Sequence, residues 1–244
     1  MPVQQIVCMK WGTLYSCDYV NRLYNMVARH VAPPLRFVCL TDDRTGVDPR
    51  VEILPCPTIR APPPYDNYGW RKLNLWAERV GDLRGDVLYL DLDIVIVGNL
   101  DGFFTYGSDY VVMRNWTTPQ RRIGNTSVYR FTVGAHTYLL DRFLAAPEAM
   151  IAKYRNSQTY ISSEISRLSF WPDDWIRSFK EHCIRPLPLR PFVQPRLPPE
   201  AKIIVFTGNP RPHEAAAGRW PAKRWYKKLY KCIPPVRWVQ EHWR

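Results

Sequence analysis

The chain has 244 residues, of which 46% are hydrophobic, so it can bury a large core and its body is too apolar to be disordered. Its net charge of +12 indicates an anionic partner, such as a phosphorylated substrate, nucleic acid or an acidic membrane surface. No apolar stretch reaches the roughly 18 residues that a membrane-spanning helix needs, and the first residues lack the basic and apolar parts of a signal peptide. The six cysteines are scattered without metal-binding spacing. These features favour a cytoplasmic protein.

Hydrophobic periodicity predicts strands that alternate with helices along most of the chain. This alternation favours a single α/β domain, with a mainly parallel but mixed sheet flanked by helices and a ligand crevice at the strand ends. The predicted strands are 5–9, 35–41, 51–54, 87–97, 110–113, 128–131 and 202–206. The predicted helices are 16–30, 70–80 and 139–154, the last with a break or a start at Pro147.

The C-terminal part is rich in Pro, Trp and basic residues. From Arg185 to Arg244 there are thirteen Lys or Arg, three Glu and no Asp, and four tryptophans: Trp220, Trp225, Trp238 and Trp243. Basic residues interleaved with tryptophans suit a lipid headgroup interface; the alternative is a solvated extension that packs on the domain. We predict a domain of residues 1–215 and a basic aromatic extension of residues 216–244, with peripheral association at the inner face of a membrane.

Two carboxylates, Asp91 and Asp93, lie within the otherwise apolar run from Val87 to Val97. In one extended strand alternate side chains share a side, so the two carboxylates are expected to point together. Burying unpaired carboxylates is very costly, so a positive charge must meet them. A hard divalent cation with oxygen ligands is the simplest candidate.

Three interpretations of this pair compete. The pair could hold a cation that binds the diphosphate of a nucleotide sugar. It could mark a phosphatase of the haloacid dehalogenase type, with Asp91 as nucleophile and Asp93 as acid. It could also be structural, satisfied by arginines and backbone amides. The phosphatase motif usually opens its domain on the first strand, whereas this one falls on about the fourth, which disfavours that interpretation.

Several segments resemble one enzyme family. Residues 89–101 resemble the DxD strand and following turn of GT-A-fold glycosyltransferases of family 8, the glycogenin-like and lipopolysaccharide galactosyltransferase-like enzymes. Residues 125–128 resemble the "NSGV" segment of that family, and residues 206–213 resemble its C-terminal "HxxGxxKPW". Residues 10–13 and 69–73 look like a largely uncharacterised bacterial branch. Together these motifs cover most of residues 5–215.

The resemblance implies a Rossmann-like GT-A fold and metal-dependent transfer of a hexose from a UDP-sugar, with Mn²⁺ or Mg²⁺, to a glycan, lipid-linked or polysaccharide acceptor. It favours retention of the anomeric configuration. Asp91 and Asp93 would be metal ligands. The third metal ligand of the family, a His, falls on Val205 here, so either His213 supplies it or the cation keeps more water and phosphate ligands.

The resemblance also assigns the remaining site residues. The nucleotide is expected at Lys10, Trp11, Gly12, Thr13, Tyr15 and Asp42; the phosphates at Lys72, Gly208 and Arg211; and the donor sugar at Asn125, Thr126, Ser127, Gln158 and Glu164, the last two beside the reacting centre. An inert nucleotide-sugar-binding protein is the main alternative. Nucleic-acid binding is disfavoured because RNA-type aromatic motifs are missing.

Overall fold

A computed structural model describes residues 2–244, apart from the side chain of Lys228. Contacts between residues divide the chain into two compact units. The first unit comprises Met1–Val20, Ala32–Leu92 and Asp101–Trp171, and the second comprises Asn21–Val31, Asp93–Leu100 and Pro172–Arg244.

The strands and helices alternate much as the periodicity predicts. The strands are β1 (Gln4–Lys10), β2 (Leu35–Thr41), β3 (Glu52–Pro55), β4 (Asp86–Leu90), β5 (Ile94–Ile96), β6 (Tyr110–Arg114), β7 (Gly124–Thr132), β8 (Ser169–Phe170), β9 (Ile176–Ser178) and β10 (Ile203–Val205). The α-helices are α1 (Cys17–His30), α2 (Tyr138–Ala145), α3 (Pro147–Tyr154), α4 (Ser157–Glu164), α5 (Pro212–Ala216) and α6 (Arg237–His242). Pro147 is the first residue of α3, so the predicted break there is confirmed.

The first unit contains a seven-stranded sheet in the order β3-β2-β1-β4-β7-β6-β8. Its β1, β2, β3 and β4 are parallel, while β7 is antiparallel to both β4 and β6. The predicted mixed, mainly parallel sheet is therefore confirmed. Lys10 at the end of β1 pairs with Thr41 at the end of β2, so the loops that follow these strands leave the sheet at one edge.

The core of the first unit lies against this sheet. Residues 6–10 of β1 are buried without alternation, as in strands that are covered on both faces. Aromatic rings fill much of the core: Trp76 stacks on Tyr129 with ring centroids 6.1 Å apart, and Tyr129 stacks on Tyr89 at 4.8 Å. These rings fix the position of β4, the strand that ends just before Asp91.

The predicted helix over residues 70–80 is instead a 3₁₀ helix, Gly69–Trp76. Trp70, Leu73 and Trp76 are all buried and are three residues apart. In a 3₁₀ helix side chains at that spacing are eclipsed on one face, so the tighter helix buries all three. Lys72 lies on this helix.

The predicted single strand over residues 87–97 is wrong. β4 ends at Leu90, β5 begins at Ile94, and the two strands belong to different sheets. The Asp91 N–H still donates to the Ser127 carbonyl beside β4 at 2.8 Å, whereas the Asp93 carbonyl accepts the Phe206 N–H beside β5 at 3.0 Å. Asp91 and Asp93 therefore lie in a connecting segment, and strand alternation does not determine where their side chains point.

The second unit contains a three-stranded sheet in the order β5-β10-β9. Phe179 and Phe206 stack beside it with ring centroids 4.4 Å apart, and Trp238 lies 6.1 Å from Phe179. The C-terminal segment packs into this unit: the Val236 N–H donates to the Ala215 carbonyl at 3.1 Å. Trp238 and Trp243 are buried, so for these two side chains the alternative holds that the extension packs on the rest of the protein.

Candidate functional site

Asp91 follows β4 and is held by two side chains of the first unit. The Lys72 ammonium is 2.5 Å from its Oδ1, and the Tyr89 hydroxyl donates to the same oxygen at 2.7 Å. Lys72 also donates to the Thr126 carbonyl at 3.3 Å. Burial, with the Asp91 charge as the second cause, raises the pKa of Tyr89 well above its usual value, so its hydroxyl keeps its proton and donates. Lys72 therefore supplies the positive charge that the half-buried Asp91 carboxylate requires.

Asn125, Thr126 and Ser127 lie on β7, the neighbour of β4. The strand predicted over residues 128–131 begins earlier, at Gly124, so these three residues belong to it. The Asn125 side-chain oxygen accepts the Ser127 N–H at 2.9 Å. Thr126 and Ser127 are buried, and the Thr126 carbonyl contacts Lys72. The structure thus brings this segment to the Asp91–Lys72 pair.

The loop after β1 meets the loop after β2. The Gly12 N–H donates to the Asp42 carboxylate at 3.0 Å, and Gly12 has a φ of +58°, which favours glycine. The Trp11 indole donates to the Asn67 carbonyl at 3.0 Å. Gly12, Thr13 and Asp42 are exposed. The predicted nucleotide residues of these two loops therefore lie together, with an indole held in place among them.

The remaining predicted nucleotide residues differ in exposure. Lys10 is only 5% exposed at the end of β1, and Tyr15 is half-buried with its ring centroid 4.9 Å from that of Tyr19. Tyr15 is therefore already packed against a ring of the protein.

Glu164 and Gln158 lie near opposite ends of α4. The Glu164 carboxylate accepts the Tyr154 hydroxyl and is 2.9 Å from Arg142 and 3.7 Å from Lys153. The Tyr154 hydrogen bond is the largest of the causes that lower the pKa of Glu164. These partners come from α2 and α3, so the carboxylate faces those helices. Asp91 with its partners Lys72 and Tyr89 is called the Asp91 group below. The structure shows no contact between Glu164 and this group within residues 2–244.

Asp93, Gly208, Arg211 and His213 belong to the second unit. Asp93 is 8% exposed, whereas Gly208 is exposed with a φ of +74°. Arg211 is the N-cap residue of α5, and its N–H donates to the Glu214 carboxylate at 2.7 Å. Burial lowers the pKa of His213, whose ring centroid is 6.3 Å from that of Trp243.

The described side chains do not form a ready metal cage. Residues 2–244 contain no group of three or more His, Cys, Asp or Glu placed to hold a metal ion. Val205 is fully buried and aliphatic. A cation at this site would therefore need most of its ligands from substrate oxygens and water, which Mg²⁺ accepts.

Tyr89 contacts a predicted site residue and Lys180 contacts the residue next to one, but neither was itself predicted as a site residue. Tyr89 reads as one more apolar strand residue, and only its spacing from Asp91 hinted at a shared side. Lys180 lies in an aperiodic stretch, and its Nζ donates to the Thr207 carbonyl. No pattern in the sequence marks it as a site residue.

No helix of the described chain combines the length and apolar character that crossing a membrane requires.

Solved structures of glycosyltransferases share this fold. No protein-family model and no curated protein sequence matches the chain. The galactosyltransferase LgtC, solved with donor and acceptor sugar analogues, matches 98% of this chain over 100% of its own, with 12% identity and a TM-score of 0.60. The glycosyltransferase GlyE of Streptococcus pneumoniae TIGR4 matches 98% of this chain over 63% of its own, with 13% identity and a TM-score of 0.57.

The bifunctional glycosyltransferase WbbM also matches 98% of this chain, over 51% of its own length, with 13% identity and a TM-score of 0.55. At these identities the likeness shows the fold. The chain has the GT-A fold, as its motifs imply.

Proposed function

We propose that this protein is a glycosyltransferase that moves a hexose from a UDP-sugar to a glycan, lipid-linked or polysaccharide acceptor. The observation that carries the proposal is the fold match to a galactosyltransferase along nearly the whole of both chains. The Asp91 group adds chemical support, because a carboxylate after the central strand β4 is held by a lysine and a tyrosine hydroxyl.

In glycosyl transfer, the bond between the anomeric carbon and the diphosphate oxygen breaks while a bond to the acceptor oxygen forms. Negative charge then grows on the leaving diphosphate. In the first unit, the loops after β1 and β2 would bind the nucleotide, with Trp11 beside the base and the Asp42–Gly12 hydrogen bond ordering the loop. Asn125 and Ser127 on β7 would contact the donor sugar. In the second unit, Gly208 lets the backbone approach the diphosphate, and Arg211 adds a charge-assisted contact.

The metal dependence stays part of the proposal. Asp91, Asp93 and His213 are the side chains that would ligate Mn²⁺ or Mg²⁺, and the bound cation would neutralise charge on the leaving group. Retention of the anomeric configuration rests on the family resemblance. The roles of Gln158 and Glu164 beside the sugar rest on it too, and the contacts of Glu164 with Arg142 and Tyr154 do not strengthen them.

We also propose that the protein works at the cytoplasmic face of a membrane, where residues 216–244 and a neighbouring segment provide a basic and apolar surface. Its exposed side chains include Phe192, Trp225 and Leu229, at 83%, 77% and 73%. The Arg190 guanidinium donates to the Tyr230 carbonyl at 2.7 Å, so the segments 187–193 and 220–231 are joined. We call these two segments the basic aromatic surface. Basic side chains such as Lys223 and Arg224 would face anionic headgroups.

A screen of nucleotide sugars by thermal shift, with and without Mn²⁺, tests the function. We expect metal-dependent stabilisation by uridine nucleotides, followed by release of UDP from the best donor over time. Asp91→Asn and Asp93→Asn should each lower turnover by about 100-fold or more, because both act where charge develops. The exposed Asp141→Asn on α2 is the matched control and should retain activity.

The screen also separates the competing function. Stabilisation without any release of UDP, with every acceptor class offered, would indicate an inert nucleotide-sugar-binding protein. Full activity of both Asp variants would remove the assignment of the site.

A further inference from the structure

Three strand ends of the second unit meet at one edge of its sheet. Val205, the last residue of β10, pairs with Ser178, the last residue of β9, and with Ile94, the first residue of β5. The residues just beyond these ends therefore leave the sheet together. They are Lys180 after β9, Thr207 and Gly208 after β10, and Asp93 before β5.

Lys180 is directed into this edge. Its Nζ donates to the Thr207 carbonyl, and the side chain is half-buried. Burial, followed by the charge of Lys231, lowers the pKa of Lys180, while the carboxylates of Glu181 and then Asp93 act in the opposite direction. An ammonium carries three N–H donors, and one carbonyl accepts only one of them. Burying such a group costs free energy that an anion beside it would offset.

The space beside the Lys180 ammonium is open to a ligand. Gly208 is exposed with a φ of +74°, and a Cβ placed on it would meet, among described residues, only the Lys180 Nζ, at 4.0 Å. A ligand atom can therefore approach the backbone of Gly208 and the ammonium together. An anionic oxygen is the group that a lysine and a bare backbone amide both favour.

We propose that Lys180 binds the terminal phosphate of the nucleoside diphosphate donor and stabilises it as the leaving group. This inference rests on the proposed function and adds a residue outside all the motifs of the sequence. The ammonium would donate to a phosphate oxygen, either in place of the Thr207 carbonyl or in addition to it. The same ammonium would then contact both the phosphate and the loop that carries Gly208. Asp93 would hold the ammonium at this edge before the donor arrives.

Calorimetric binding of UDP, UMP and inorganic pyrophosphate, at a fixed Mn²⁺ concentration and again in EDTA, tests this role. Lys180→Met should weaken the binding of UDP and of pyrophosphate by about 10- to 100-fold, the usual range for losing a charge-assisted contact. The affinity for UMP, which lacks the terminal phosphate, should change by less than about threefold, a bound set by the same energy scale. Lys180→Arg should recover most of the UDP affinity.

Lys202→Met is the matched control. Lys202 precedes β10 at the opposite end of the same strand, with its Nζ 4.2 Å from the Trp175 ring centroid, and its loss removes an equal charge. It should leave all three affinities unchanged. Melting curves of each variant verify folding.

The outcomes separate the two proposals. Equal loss of UDP and UMP affinity in Lys180→Met would show that Lys180 only positions the loop, and unchanged UDP affinity would show no role; either result overturns the inference. If the wild-type protein binds neither nucleotide, the proposed function fails. In that case, weaker pyrophosphate binding by Lys180→Met than by wild type still supports an anion site at Lys180. Equal pyrophosphate binding by the two proteins overturns that site.

Discussion

The Asp91 carboxylate is fixed by two residues with different chemistry. Lys72, 19 positions earlier in the chain, provides charge, and Tyr89 provides a neutral hydrogen bond from a fully buried ring. Tyr129 stacks on Tyr89 and is equally buried, yet its hydroxyl makes no hydrogen bond within residues 2–244. The two tyrosines therefore form a natural pair for measuring what the hydroxyl contributes.

Tyr89→Phe should lower the free energy of unfolding by about 1.5–3 kcal/mol, since it removes a hydrogen bond to a charged, poorly solvated carboxylate. It should also lower kcat/KM, because the carboxylate loses one of its two constraints. Tyr129→Phe should be neutral or stabilising, as it removes a buried hydroxyl without a partner. Urea denaturation of both variants measures the difference, and equal effects would contradict the role given to the Tyr89 hydroxyl.

Elements of this chain are predictable where their pattern is local. The strands β1, β2 and β6 and the helix α1 lie within a residue or two of their predicted bounds, because a short apolar run or helical spacing is a property of the segment itself. The run from residue 87 to 97 was mispredicted as one strand because it is apolar apart from Asp91 and Asp93, and apolar residues suit either sheet. Only the choice of partner, β7 for β4 and β10 for β5, breaks it at Asp91.

The turn after α5 depends on one glycine. Gly218 has a φ of +67°, and a Cβ there would lie 2.7 Å from the Pro235 nitrogen and 3.0 Å from the Pro234 carbonyl carbon. Gly85 has nearly the same φ, +65°, but nothing lies within 4 Å of its added Cβ. The two positions share the backbone strain and differ only in the clash.

Gly85→Ala should therefore cost about 1 kcal/mol of unfolding free energy, the strain of a left-handed alanine. Gly218→Ala should cost about 1–3 kcal/mol more, because backbone atoms must move apart. Hydrogen exchange of residues 212–239 should rise in Gly218→Ala alone. Equal destabilisation by the two substitutions would show that the backbone at Pro235 can move away from the added Cβ at no cost in free energy.

Across the whole chain, the histidines are unevenly distributed. His30, His182, His213 and His242 belong to the second unit, and burial is the largest cause that lowers the pKa of each. A lowered pKa in the folded state means that the unfolded state binds more protons just below the usual value of about 6.5. Stability from these groups is therefore present above that pH and is lost as the pH falls below it.

We expect amide exchange, corrected for intrinsic rates, to accelerate more in residues 172–244 than in the seven-stranded sheet between pH 7.5 and 5.5. This window lies above the titration of ordinary carboxylates. A His30→Gln/His242→Gln variant should show a smaller effect, since these two rings lie 6.3 Å apart beside Arg29 and Arg244. Uniform acceleration of both units would contradict the argument.

Membrane binding is also a property of a whole surface. The variant Phe192→Ala/Trp225→Ala/Leu229→Ala should bind vesicles of anionic phosphatidylglycerol at least about 10-fold less well than wild type, because each lost side chain removes apolar burial. The control is Val3→Ala/Tyr106→Ala/Leu144→Ala, which removes exposed apolar side chains of the first unit. Flotation with anionic and neutral vesicles measures both, and equal binding of wild type to the two lipids would exclude the electrostatic part.

The sequence by itself determined the α/β order, the mixed sheet and the GT-A resemblance, because these depend on local periodicity and short motifs. That β4 ends before Asp91 was decided by the tertiary structure. Tertiary structure alone decided that Lys72 and Tyr89 meet Asp91, that Lys180 reaches Thr207 from 27 positions away, and that Trp238 and Trp243 are core residues. The reason is physical: a side chain's charge partner and its burial depend on which distant strands pair. That choice is made by the packing of the whole unit, and no window of neighbouring residues contains it.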